Sequence, residues 1–123
     1  MPDYVPIFQP GRDITMTVGS TPVVAGNLVE VSAANTVIPT TGATAAWLGV
    51  ATTDGAIGAK VGITSGGVQE LVANGAISVG GMVAPAAGGK VQPIGTNTFG
   101  MNVGIALTAA SADGDKIRVK MER

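Results

Sequence analysis

The sequence predicts a mainly β fold: a small single-domain barrel or sandwich built from two weakly similar β units, with an extended N-terminal arm. Three observations carry that expectation. Sixteen Val and nine Ile stand against four Leu, beside 19 Gly and 7 Pro in 123 residues, a balance that favours short strands punctuated by turns. The stretch DITMTV (13–18) alternates Ile14, Met16 and Val18 with Thr15 and Thr17, the period of two expected of a half-buried strand. Finally, GNLVEVSAANTVIP (26–39) is matched by GGMVAPAAGGKVQP (80–93), pairing Leu28, Val29, Val37 and Pro39 with Met82, Val83, Val91 and Pro93 at a spacing of 54 residues.

Each element follows in order. Residues 1–12 hold Pro2, Pro6 and Pro10, together with Tyr4 and Phe8, two of only four aromatics in the chain. Proline fixes φ and removes a backbone donor, so this stretch is no helix and reads as an extended arm. The β domain, 13–123, starts at the alternating strand, and its first unit spans 26–63. That unit reads as strand, turn, strand, then a strand around Leu48-Gly49-Val50-Ala51, an Asp54-Gly55 turn and a closing strand from Lys60. GGVQELVANG (66–75), bracketed by glycines, reads as a further strand between the units. The second unit, 80–119, repeats the order: Val103-Gly104-Ile105-Ala106, an Asp113-Gly114 turn, and Lys116-Ile117, with the spacing grown to 56. Two copies suit a barrel or sandwich, because a solenoid needs at least three.

Several chemistries are excluded by residue type. With no His and no Cys, neither an imidazole base, a thiolate nucleophile nor a thiolate metal site can be built. Gly88-Gly89-Lys90 is followed by Val91 where a phosphate-binding loop needs Ser or Thr. Asp113 and Asp115 flank a glycine in a turn, with too few oxygen ligands nearby for calcium. The expectation is a protein that is not an enzyme and holds no cofactor and no metal. A net charge of −1 without a basic block argues against nucleic acid. The most apolar stretch, AISVGGMVAPAAGG, is broken by Pro85 and glycines, so no membrane span is expected.

Only 12% of residues are charged while 46% are hydrophobic, which leaves a monomer with more apolar surface than soluble monomers tolerate and predicts assembly. Candidate contact residues follow. In the arm they are Pro2, Tyr4, Val5, Pro6, Ile7, Phe8 and Arg12. DKIRVKMER alternates Lys116, Arg118 and Lys120 with Ile117, Val119 and Met121, which puts a basic row on one face of a strand, either solvated or facing an acidic partner surface. Trp47 aligns with Asn102, so the repeat does not demand an aromatic there; it either fills the core or makes a subunit contact.

Taken in order, PGRDITMTV, LGVATTDGAIGAKVGI, the GGVQE strand, VGGMV with GGKVQPI, and GIALTAASADGDKIRVKM resemble the capsid cement or head decoration proteins of tailed phages. The likeness spans nearly the whole chain from Pro10 onward. It implies a non-enzymatic virion protein, made in the host cytoplasm, that trimerises on the outer capsid surface at three-fold and quasi-three-fold positions. There it would clamp neighbouring copies of the major capsid protein, the arm pairing with an edge of that protein by strand addition. The same composition also fits a phage tail or fibre module, or a carbohydrate-binding adhesin module.

Overall fold

The structure is a computed structural model that describes residues 14–122. Ten strands follow one another: β1 (Ile14–Val18), β2 (Leu28–Ala33), β3 (Thr36–Pro39), β4 (Trp47–Ala51), β5 (Lys60–Thr64), β6 (Val68–Val72), β7 (Met82–Ala86), β8 (Lys90–Pro93), β9 (Gly104–Ala106) and β10 (Lys116–Met121). Among the described residues, the helical elements between them are two short 3-10 turns, Ala87–Gly89 and Phe99–Met101. The β-rich expectation holds, and both the alternating stretch at 14–18 and the segment at 68–72 are strands.

The two units each make a sheet of their own, and each sheet recruits the strand that precedes its unit. β1–β5 close into a barrel in the order β1-β3-β2-β4-β5, while β6–β10 form a five-stranded sheet in the order β6-β10-β9-β7-β8. β1 runs parallel to β3 through Thr17–Thr36 and Val18–Val37. At the same place in the second sheet, Ala73 just after β6 bridges Val91 of β8, also in parallel. The duplication therefore extends beyond the residues that advertise it: β6 corresponds to β1, although VQELV and ITMTV share little sequence.

Backbone hydrogen bonds set the register of the repeat. Val18 N–H donates to the Ala59 carbonyl at 2.8 Å and Ala73 to Asp115 at 2.7 Å; Gly26 donates to Ala51 at 2.9 Å and Gly80 to Ala106 at 2.8 Å. One sequence match shifts. The expected pairing of the Asp54-Gly55 and Asp113-Gly114 turns gives way to Gly58 with Gly114, whose N–H groups donate to Val18 and Ala73 at 2.9 and 2.8 Å. The reason is conformational: this position takes φ +84 in one turn and +93 in the other, and glycine enters that region without steric cost.

Strand alternation then divides the side chains. Val18, Val23, Val29, Val37, Ala51, Val61 and Ile63 fill the first barrel. The aligned positions Ala73, Ile77, Val83, Val91, Ala106, Ile117 and Val119 fill the second sheet's interior, in a cluster that also includes Leu28, Trp47 and Val50 of the first barrel. Leu28 and Val50 are a cross-strand pair, so they project from the outside of the first barrel and bury themselves in the junction between the sheets. Gly49 and Gly104 sit where strands approach too closely for a side chain. A Cβ on Gly49 would lie 2.5 Å from the Thr64 carbonyl oxygen, and one on Gly104 would overlap the Lys120 carbonyl.

Candidate interaction surface

Strand β10 delivers the basic row as the alternation requires. Lys116, Arg118 and Lys120 are exposed while Ile117, Val119 and Met121 are buried. Antiparallel pairing places Arg118 opposite Glu70 and Lys120 opposite Val68 on β6, with Ile105 of β9 on the other side of Lys120. The row is thus partly answered within the sheet by an acidic neighbour, and it borders apolar side chains. Trp47 is placed differently. It is only 2% exposed and belongs to the buried cluster between the sheets, so its indole fills space within one chain. The arm candidates Pro2, Tyr4, Val5, Pro6, Ile7, Phe8 and Arg12 lie outside the described residues.

The junction itself has defined chemistry. Thr40 is 1% exposed, and its hydroxyl donates to the Ala86 carbonyl at 2.7 Å while its own carbonyl accepts from Gly89 N–H at 3.2 Å. Gly89, at φ +75, is pressed on Asn27: a Cβ there would come within 2.8 Å of the asparagine side chain. The β7–β8 turn of the second sheet is therefore seated against Asn27 and Thr40 of the first.

What the repeat buries once, it exposes once. Leu28 and Val50 are 0% and 5% exposed, whereas their counterparts Met82 and Ile105 are 41% and 44% exposed. Met82 and Ile105 are again a cross-strand pair. Sequence reading did not single them out; the signal was apolar residues at matched positions in both units, which cannot say which copy is covered. Met82, Ile105 and Val68, itself 53% exposed, form an apolar row across the outer face of the second sheet, interrupted by Lys120.

Carboxylates are used structurally. Glu30 accepts from Thr41 N–H at 2.7 Å and the Thr41 hydroxyl at 3.1 Å, Asp54 from Ala25 N–H at 2.8 Å, and Lys90 pairs with Asp113 at 3.0 Å. Asp115 accepts from Ser111 N–H at 2.9 Å, the Ser111 hydroxyl at 3.0 Å and Ala112 N–H at 3.2 Å. The Ser111 amide, then its hydroxyl, then the Ala112 amide hold this carboxyl below its ordinary value, against a small opposing desolvation. Among the described residues, no cavity opens and no three acidic side chains converge to hold a metal.

Fold and surface together define a class: a duplicated β protein, one closed barrel beside a five-stranded sheet, whose distinctive features lie on its outer faces. Comparison with known families makes this specific. The chain belongs to the phage cement protein family, whose profile matches residues 8–121, and so to the capsid-associated structural proteins of bacteriophages. Among solved structures it is similar to the head fiber gp8.5 N base of bacteriophage phi29, at 18% identity and a TM-score of 0.66, covering 89% of this chain and 92% of that one. At that identity the likeness speaks for the fold. No curated protein matches.

Proposed function

We propose that this protein is a non-enzymatic head decoration protein that assembles as a homotrimer on the outer capsid surface, at three-fold and quasi-three-fold positions. There it clamps neighbouring copies of the major capsid protein and stabilises the DNA-filled head. The observation that carries this reading is the cement-family match over residues 8–121, and a barrel and sheet with exposed apolar residues on their outer faces support it. Each contact can be weak, because a trimer touching several capsid subunits gains affinity from multivalency. Residues 1–12 serve as the arm that pairs with the capsid protein, a role that rests on the family resemblance and on three prolines that lower the entropy lost on docking.

Native mass spectrometry and co-sedimentation with mature, empty heads test this directly. The expected result is a trimer that binds heads and raises the temperature at which they rupture. A monomer indifferent to heads overturns the reading. Deleting residues 1–12 is expected to leave β1–β10 folded while sharply reducing head binding; undiminished binding would remove the arm from the mechanism. A second reading, a base that seats a fibre on the head, is favoured by the fold likeness to the phi29 head fiber base. It predicts that the protein co-purifies with an elongated partner from virions.

A further inference from the structure

We infer that copies of this chain join head to tail, by repeating between molecules the contact that joins the barrel and the second sheet within one molecule. The inference supplies the contact for the homotrimer proposed above and takes only the copy number from that reading.

Within the chain, the contact has two unlike halves. The first barrel offers the Leu28–Val50 pair, with Asn27 and Thr40 beside it; the second sheet offers the β7–β8 turn, through the Ala86 carbonyl and Gly89. Because the two sheets are copies, each also owns the half that the other uses. The second sheet's unused half is Met82 and Ile105, with Gly81 at the position of Asn27. The first barrel's unused half is the β2–β3 turn, where Ser32 and Asn35 stand at the positions of Ala86 and Gly89.

Both unused halves are open. Met82 and Ile105 are 41% and 44% exposed, as is Val31, at 40%, at the edge of the other half. Ala84 and Ala86, on the used half, are buried at 0% and 1%, while their counterparts Glu30 and Ser32 are half-buried and exposed. A surface built on the pattern of a buried one, and left uncovered in a single chain, has a ready partner in a second copy. Contacts of unlike halves propagate from copy to copy and end only when a ring closes, as a trimer does.

Side-chain volumes support the second copy as the occupant. Inside the chain, the side chain is on Asn27 and the glycine on the facing turn, where a Cβ on Gly89 would lie 2.8 Å from Asn27. In the contact between chains the pairing is reversed: the glycine is Gly81 and the side chain is Asn35. Asn35 adopts φ +52 and is the one non-glycine with positive φ among the described residues, the same left-handed region as Gly89. Asparagine tolerates that conformation better than most residues, and although the β2–β3 turn is tighter, pairing Ala33 with Thr36 where β7–β8 pairs Ala86 with Lys90, it carries a side chain that can fill the space that Gly81 leaves.

Two variants test the contact, each with two substitutions at exposed positions. Met82→Glu with Ile105→Glu disables one half; Ser32→Trp with Ala33→Glu disables the other. Each alone is expected to be monomeric by native mass spectrometry at a concentration where the unaltered protein is trimeric, with unchanged far-ultraviolet circular dichroism. Mixed in equal amounts, they are expected to form a one-to-one dimer that grows no further, since each retains the half that the other lost. Leu107→Glu, also exposed but outside both halves, is expected to leave the trimer intact. If the unaltered protein is trimeric and both variants remain so, this contact is refuted and the trimer stands. Two monomeric variants that do not pair on mixing refute the head-to-tail arrangement. If the unaltered protein is itself monomeric, the trimer reading falls and this contact falls with it.

Discussion

The barrel and the second sheet are copies that meet different fates. The outer Leu28–Val50 pair of the first is sealed in the junction, while the matching Met82–Ile105 pair of the second faces outward. Around the sealed pair the sequence has specialised: Trp47 stands where the second unit has Asn102, and Thr40 where it has Ile94. The interiors of the barrel and of the second sheet, by contrast, keep the same small, mostly β-branched filling. A duplicated fold thus keeps what fills each unit and diverges where the units touch something else.

The largest test of that contrast is Trp47→Ala against Asn102→Ala. Removing the buried indole from the junction is expected to cost about 3 to 5 kcal/mol of folding stability, measured by urea denaturation. Asn102, which accepts a hydrogen bond from Gly104 N–H at 3.1 Å, is expected to cost about 1 kcal/mol on replacement. Equal losses would break the distinction between a junction residue and its repeat counterpart.

Next come the matched glycines, which test sameness. Gly104→Ala forces a Cβ against the Lys120 carbonyl, and Gly49→Ala forces one to 2.5 Å from that of Thr64. Both are backbone obstacles that cannot rotate away, so each variant is expected to lose about 1–3 kcal/mol, with Gly104→Ala the worse. A neutral outcome for either would show that the barrel and the second sheet do not need the same close approach.

A smaller effect attends Thr40→Val, which deletes the buried hydroxyl bond to the Ala86 carbonyl. The expected loss is about 1 kcal/mol or somewhat more, because the carbonyl left behind loses a partner. Ile94→Val, at the matching place, removes one methylene from a half-exposed site and is expected to change the unfolding midpoint little.

The smallest concerns Asp115, aligned with Ala59 in the barrel. Its folded pKa lies below the ordinary aspartate value, held there first by the Ser111 amide. Its contribution is therefore fully present above the unfolded value and is lost as pH falls through the lowered folded value. Asp115→Asn is expected to flatten the acid side of the profile of melting temperature against pH, leaving the neutral region nearly unchanged. An unaltered acid limb would show that this exposed turn does not couple to unfolding.

Much was legible from local pattern. The strand at 14–18 declared itself by alternation, and the basic row on β10 fell on the exposed face because the period of a strand is two. The duplicated order of elements was readable from Leu48-Gly49-Val50-Ala51 and Val103-Gly104-Ile105-Ala106, since Gly49 and Gly104 meet the same steric demand. The membership of β6 in the repeat was not readable: its kinship with β1 lies in backbone pairing, which leaves little trace in side chains.

By itself the sequence determined the β class, the two units and the absence of His- or Cys-based chemistry, because these depend on residue type and periodicity. Only the tertiary structure decided that each unit forms its own sheet, the first of them closed, that Trp47 belongs to the junction, and that Met82 and Ile105 are the uncovered copy of a buried pair. The physical reason is that an apolar residue at a strand position reports only that one side is to be kept from water. What covers that side depends on the arrangement of elements distant in the chain, and for matched positions such as Leu28 and Met82 the pattern is the same while the neighbours differ.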